Sequence, residues 1–336
     1  LRRTIIAVIA VIVVIAMACL GAWYLRNPSK PYTGTPEPIT IGVTTLPGPS
    51  GLIYIADEQH FFTDNGLDVT INGYDAGLYA VEDMMEGKND IAVAAEFVIV
   101  GKALQRENIS SVGTIGRSQD QYIVGRKDHG IVSSSDLAGK KIGVTRGTIP
   151  EFYLGRYLEL HGISLRNVTL VDLNSSQQAV QIGNGTVDAI VGWGPNVESI
   201  MDQLGPNAVR WPVQSGQLTY WNAICSNDWV VQHPELIKRF LKSLDQAAVY
   251  AINHPAEAKT IVKERLRVDD AYIDTVWPGT HFSLSIDQAF VTAMEDESRW
   301  MIKNNLTAER TIPDYRDYLY LKGLDEVKPQ SVNIII

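Results

Sequence analysis

At 336 residues the chain has room for two modest domains, and 45% hydrophobic with 20% charged residues is ordinary for a globular protein. A net charge of −9 argues against non-specific nucleic-acid binding. Two cysteines, Cys19 and Cys225, cannot build a disulfide framework or a cysteine metal site, and Cys225 reads as a lone core residue.

Arg2 and Arg3 precede a charge-free run from Thr4 to Leu25 that is long enough to span a bilayer. Residues 1–26 are therefore expected to be a signal or anchor segment. Either an uncleaved transmembrane anchor keeps its basic end in the cytoplasm, or Ile15-Ala-Met-Ala-Cys19 is a loose lipobox that places a lipid on Cys19. Residues 27–38, with Pro28, Pro31, Pro36 and Pro38, form a stiff polar spacer. Both alternatives put the remaining chain outside the cytoplasm, tethered to a membrane. Asn-x-Ser/Thr sequons at Asn108, Asn167, Asn174, Asn184 and Asn305 are weakly consistent with export.

Beyond the spacer, short apolar strands alternate with helical patterns. Ile39–Thr45 reads as a strand, followed by the loop Leu46-Pro-Gly-Pro-Ser-Gly51 and a helix from Leu52 to Phe62. A strand at Leu67–Ile71, a helix across Leu78–Met85 and a buried strand at Ile91–Ala95 complete the unit. Such alternation builds a parallel sheet flanked by helices. The unit then recurs. Ile41-Gly-Val-Thr44 matches Ile142-Gly-Val-Thr145, each followed by a glycine-containing turn and a helix, and Gly87-Lys-Asn-Asp90 matches Gly185-Thr-Val-Asp188. The offset stays at roughly a hundred residues, about one small domain and too long for a solenoid repeat.

The expected fold is α/β: two lobes, each a mixed, mostly parallel sheet flanked by helices. Lobe 1 comprises residues 39–120 and 224–336, and lobe 2 comprises residues 121–223. Leu218–Cys225 alternates like a returning strand, and His233-Pro234 and His254-Pro255 begin helices. The two-segment hinge lies near Gln119–Val124 and Thr219–Cys225.

Ligands in open α/β sheets collect at the carboxyl ends of strands. In lobe 2 this points to Arg146-Gly-Thr148, where Gly147 allows a tight turn and Pro150 suits a helix start. Helix starts attract anions. Arg146 can offer a forked cation, and Ser50 and Thr148 can complete an oxyanion cradle or simply cap their helices. Trp193, between Gly192 and Gly194, reads as a pocket wall, with Tyr54 a weaker wall candidate. Glu96 occupies the equivalent strand end of lobe 1. It either caps or meets solvent, or, if it lines the site, suits the amine of a zwitterion or aminopyrimidine.

Ile55-Ala-Asp-Glu-Gln-His-Phe-Phe-Thr-Asp-Asn-Gly-Leu-Asp-Val69, Gly87–Ala92, Asp136-Leu-Ala-Gly-Lys-Lys-Ile-Gly-Val144, Gly185–Trp193 and His233-Pro-Glu-Leu-Ile-Lys-Arg-Phe240 resemble solute-binding proteins of ABC importers. The family is that of nitrate, sulfonate and taurine binders and of thiamine pyrimidine-precursor binders, and the resemblance covers about residues 39 to 265. It implies a type II periplasmic-binding-protein fold that captures a small anionic or zwitterionic solute. The protein would deliver that solute, without any cofactor, to a permease with ATPase subunits, and is expected to act as a monomer. An aminopyrimidine thiamine precursor is the alternative solute, and a membrane-tethered sensor ectodomain is a further possibility.

No complete dinucleotide fingerprint, P-loop, His-Glu-x-x-His or Gly-x-Ser-x-Gly motif is present, and the histidines are scattered. The cysteine-rich iron motif of the related pyrimidine synthases is also lacking. The expectation is binding, not catalysis.

Overall fold

The computed structural model describes residues 32–335. The anchor segment and the first part of the spacer lie outside the described residues. No described helix is long and apolar enough to cross a membrane.

Lobe 1 opens with β1 (Glu37–Thr44), α1 (Pro47–Glu58), β2 (Leu67–Tyr74), α2 (Gly77–Met85), β3 (Ile91–Ala95), α3 (Glu96–Leu104) and β4 (Ile109–Ser118). The chain crosses to β5 (Gln121–Arg126), β6 (Lys141–Val144), α4 (Ile149–Leu160), β7 (Thr169–Asp172), α5 (Ser175–Gly183), β8 (Ala189–Trp193), α6 (Gly194–Leu204) and β9 (Ala208–Pro212). It returns through β10 (Thr219–Ser226), α7 (Pro234–Asn253), α8 (Pro255–Leu266), α9 (Asp270–Val276), β11 (Thr280–Asp287), α10 (Gln288–Lys303) and β12 (Val332–Asn333).

The strands form a seven-stranded sheet, β12-β11-β4-β10-β3-β1-β2, and a five-stranded sheet, β7-β6-β8-β5-β9. The repeated Ile-Gly-Val-Thr unit holds the same place in both. Ile41 and Gly42 pair in parallel with Ile91 and Ala92, and Ile142 and Gly143 pair in parallel with Ala189 and Ile190. Each repeat strand is thus flanked by parallel neighbours and buried on both faces, which is why it reads as an apolar run without alternation.

The expectation of mostly parallel sheets needs correction. Parallel pairs β1–β2, β1–β3 and β11–β12 are matched by antiparallel pairs β3–β10, β10–β4 and β4–β11. In the smaller sheet β5 runs antiparallel to both β8 and β9. The cause is the double crossing: the strands that enter a lobe, β5 and β10, run against its parallel set, whereas β4, which leaves lobe 1, runs with β1 and β3 and so pairs antiparallel with β10. The return also comes earlier than residue 224, because β10 already pairs at Thr219 with Ser118 of β4.

Gln214 ties the two crossings together. Its side-chain Oε1 accepts the backbone N–H of Asp120 at 2.8 Å and of Gln121 at 3.0 Å. Its Nε2 donates to the carbonyls of Ser118 and Gln217, each at 3.0 Å. The amide thereby satisfies backbone groups that the sheets cannot reach at the point where the chain changes lobes. Beside it lies Asp120, 3% exposed, whose carboxyl burial pushes up to about 6.

Burial follows apolar periodicity. α7 buries Leu236, Ile237, Phe240, Leu241, Leu244, Ala247, Ala248 and Ala251, a stripe at 3.6-residue spacing, and Phe240 stacks on Phe62 with ring centroids 6.1 Å apart. Behind the cleft, Phe152 of α4 packs against Phe97 and Trp300 of lobe 1, at 5.9 and 5.5 Å between centroids. This aromatic contact presses the lobes together. Cys225 is fully buried in β10, and burial pushes its thiol pKa up, consistent with an inert core residue.

Candidate functional site

The carboxyl ends of β1, β3 and β8, and the turn after β6, meet at a narrow cleft between the lobes. Thr44, Ala95 and Trp221 line it from lobe 1, and Gln121, Thr148 and Trp193 from lobe 2, with Leu78 and Val98 adding apolar surface. The cavity volume is ≈ 20 Å³, within ≈ 310 Å³ of empty space counted out to its mouth. The smaller figure is about the room of one water, so the lobes are closely apposed.

Five helices begin around this cleft: α1, α2, α3, α4 and α6. Their N-cap residues, Leu46, Ala76, Ala95, Thr148 and Trp193, are all extended, and none makes a side-chain capping hydrogen bond. Elsewhere Asn174, Ser226, Asp269 and Asp287 cap their helices with side-chain oxygens. Uncapped starts leave backbone N–H groups and the positive end of the helix dipole free for an acceptor. Two cleft side chains add hydrogen-bonding capacity. Thr44 Oγ1 and Gln121 Oε1 are buried without a partner among the described residues.

Trp193 is the contact between the lobes at the cleft. It is 9% exposed and clusters with Leu46 and Ala76, against which Tyr79 also packs. The next residue, Gly194, has φ of 65°, and a Cβ there would come within 2.7 Å of Leu46 Cδ2. Glycine is thus required twice over, for the turn and for the approach of lobe 1. Trp221 forms the opposite wall, its indole Nε1 donating to Ser118 Oγ at 2.8 Å.

Of the residues anticipated from sequence, Trp193 and Thr148 line the cleft. Thr148 is the N-cap of α4, but its hydroxyl donates to the carbonyl of Thr145 at 2.5 Å and does not cap. The other four lie elsewhere. Ser50 is buried within α1 and donates to the carbonyl of Leu46 at 2.5 Å. Tyr54, on the same helix, packs in the core with the Arg265 guanidinium 4.9 Å from its ring centre. Arg146 does not reach the cleft lining. Its guanidinium pairs with Glu151 at 3.0 Å and lies along an outer groove beside Leu165 and Asn304. Glu151, in the first turn of α4, also accepts the Gly147 N–H at 2.8 Å. A residue of the helix start itself therefore takes the arginine and one of the free amides.

Glu96 faces away from the cleft as well. It is the first residue of α3, 1% exposed, and accepts the Tyr220 N–H at 2.9 Å. Its carboxyl meets that of Glu297 on α10, and burial pushes both pKa values up. Both line a separate cavity behind the hinge.

Thr44, Gln121 and Trp221 were not anticipated. Thr44 could have been found, since it ends β1, where the strand-end rule already pointed. Gln121 and Trp221 sit in the crossing segments, whose register decides which way they face.

Fold and cleft together define a two-lobed α/β protein with the periplasmic-binding-protein fold. The family model for NMT1/THI5-like proteins matches residues 50–258, and the chain belongs to that family. A Brucella abortus protein, provisionally designated a binding protein, is 25% identical over 244 residues, covering 71% of this chain and 74% of its own. A Bacillus subtilis protein, provisionally designated an aliphatic sulfonates-binding protein, is 24% identical over 295 residues, covering 84% and 87%. A Haemophilus influenzae protein, provisionally designated a thiamine biosynthesis protein, is 28% identical over 211 residues, covering 61% and 66%. Among solved structures, the alkanesulfonate-binding protein SsuA from Xanthomonas axonopodis pv. citri, bound to MOPS, aligns with a TM-score of 0.72. It shares 16% identity, covering 90% of this chain and 100% of its own. The fold also carries catalysis: the desulfurization enzyme DszB aligns at 17% identity with a TM-score of 0.59, covering 88% and 99%.

Proposed function

We propose that this chain is an extracytoplasmic solute-binding protein that closes its lobes over a small sulfonate and delivers it to an ABC importer, a permease with ATPase subunits. The observation that carries the reading is the set of uncapped helix starts around the cleft, joined by the free Thr44 hydroxyl. Sulfonate oxygens would take backbone N–H groups from both lobes, and Trp193, Trp221, Leu78 and Val98 would cover an apolar tail. The negative charge would be met by dipoles and neutral donors, because the lining contains no arginine or lysine among the described residues. The name of the Bacillus subtilis relative supports the same solute class.

Taurine fits this scheme with its ammonium on Gln121 Oε1, whereas nitrate would leave the apolar walls unused. Binding is favoured over turnover because the polar lining groups are Thr44, Gln121 and Thr148, which supply neither a carboxylate nor a thiol. The reading includes a monomer tethered through Thr4–Leu25 or through a lipid on Cys19; membrane fractionation of Cys19→Ala separates the two tethers.

A second solute has its own support. Gln121 Oε1, a free acceptor between two indoles, also suits an aminopyrimidine, and a relative carries a thiamine-biosynthesis name. A thermal-shift panel on the full chain in mild detergent, unfolded and refolded to strip carried-over solute, tests both. A solute at a hundred times its Kd adds about 2.7 kcal/mol. A shift with alkanesulfonates or taurine supports the first reading, a shift with aminopyrimidines alone moves the assignment to the second, and no shift with either overturns both.

A further inference from the structure

Behind the hinge, on the far side of α3 from the cleft, lies a cavity of ≈ 250 Å³, larger than the cleft itself. One face of α10 forms its floor: Ala289, Thr292, Ala293, Asp296 and Glu297 follow at helical spacing. Ala289 and Ala293 are small, and they leave open the space in front of the carboxyl of Glu297. Phe152 and Tyr153 of lobe 2 and Tyr220 of the returning strand supply aromatic walls.

The charged groups of this cavity are acidic, beside the neutral Gln217 and Thr292. Glu96 and Glu297 are 1% and 2% exposed and their carboxyls face one another. Glu96 accepts backbone N–H groups from Tyr220 and from itself and is hydrogen-bonded to the Glu297 carboxyl, whereas Glu297 Oε2 receives no donor from any amide, hydroxyl or cationic side chain among the described residues. Asp296, at the mouth, is paired with Arg299 at 2.7 Å. Arg117 sits 4.7 Å from the Tyr220 ring centre and is paired with Asp287. Among the described residues no lysine or arginine lines the cavity. Two buried carboxyls this close can both ionise only if a cation joins them.

We propose that this cavity is a second binding site, for a small organic cation with a primary ammonium head. The ammonium donates to Glu297 Oε2 and to Glu96, and its alkyl part lies against Phe152, Tyr153 and Tyr220. A donor-bearing head fits because the acceptors need N–H groups, which a quaternary ammonium lacks. A divalent metal fits less well, since no group of three or more metal-ligating side chains occurs among the described residues. The lining comes from both lobes, so a bound cation would also favour their closed arrangement.

The test is calorimetric titration of the full chain in mild detergent and phosphate buffer, free of amine buffers. The probes are n-butylammonium, tetramethylammonium, 1-butanol and magnesium chloride at matched ionic strength. Saturable binding of n-butylammonium is expected, at least tenfold tighter than any other probe. Glu297→Gln is expected to weaken it at least tenfold while leaving the circular dichroism spectrum unchanged. Ala293→Leu, which fills the space without touching either acid, is expected to abolish it in a folded protein. Equal binding of tetramethylammonium or magnesium would overturn the ligand class. Absence of n-butylammonium binding, or unaltered affinity in folded Glu297→Gln, would show that the two acids merely share a proton and would overturn the site.

Discussion

Replacing Trp193 with alanine tests the contact that holds the cleft shut. A fully buried tryptophan removes roughly 200 Å² from water. If closure against Leu46 and Ala76 accounts for about half of that surface, it buries on the order of 100 Å². At about 25 cal/mol per Å² the closed state loses about 2.5 kcal/mol, or ~70-fold in the closure equilibrium. Because bound solute requires closure, its affinity should fall by a similar factor, with additional loss if the ring also touches the solute. Calorimetric titration of the solute selected by the thermal-shift panel reads the affinity. Pulsed electron paramagnetic resonance between spin labels at the exposed positions Glu86 and Asn184 reads the separation of the lobes. The longer-distance population should grow in Trp193→Ala and shrink again at saturating solute. Affinity and distance distribution both within twofold of the parent protein would refute the reasoning.

Thr44→Val removes a hydroxyl that has no partner among the described residues. It should leave the unfolding midpoint nearly unchanged while weakening a sulfonate by about 1.5–3 kcal/mol, the range for a hydrogen bond to a charged group; titration calorimetry with a parallel melt checks both. Arg146→Ala should change solute affinity less than threefold, since that guanidinium is engaged by Glu151 outside the cleft; a loss of tenfold or more would return Arg146 to the site. Asp120 is raised by burial from its ordinary 3.8 to about 6, so the folded state holds a proton that the unfolded chain releases first. Its stabilising contribution is full below pH 3.8 and is lost as pH rises through about 6. Melts across that window should show the midpoint falling with pH, and Asp120→Asn should flatten the slope, the difference being at most about 3 kcal/mol. The Glu96–Glu297 pair shifts in the same direction and is retained in Asp120→Asn, so the comparison between the two proteins isolates Asp120.

What could be read from sequence was what depends on neighbours along the chain. The Ile-Gly-Val-Thr repeat, its following helices and Asn174 as a helix cap are local patterns, and each has a local cause in burial on two faces or in a side-chain acceptor. Trp193 was legible for a similar reason, because a large ring between two glycines at a strand end has few places to go. The strands β5 and β10, which run against the parallel sets, were less legible as sheet partners, because their direction follows from entry into a lobe. Glu96 and Trp193 show the boundary most clearly. Both stand at the carboxyl ends of equivalent strands, yet Trp193 is still part of β8 and points across the cleft. Glu96 has already entered α3, and its side chain turns behind the hinge toward Glu297, two hundred residues away. For Arg146 the signal was present: Glu151 in the first turn of α4 is an acidic neighbour within reach of both the arginine and the Gly147 amide.

Hydrogen–deuterium exchange of the full chain in mild detergent, with and without a saturating alkanesulfonate, tests most directly that solute is held by the helix starts of both lobes. The account predicts that the sulfonate slows exchange at Gly77 and Leu78 of lobe 1 and at Ile149 and Gly194 of lobe 2 together, with little change along β11 or α7. Slowed exchange confined to one lobe, or to the cavity behind the hinge around Tyr220 and Glu297, would contradict it.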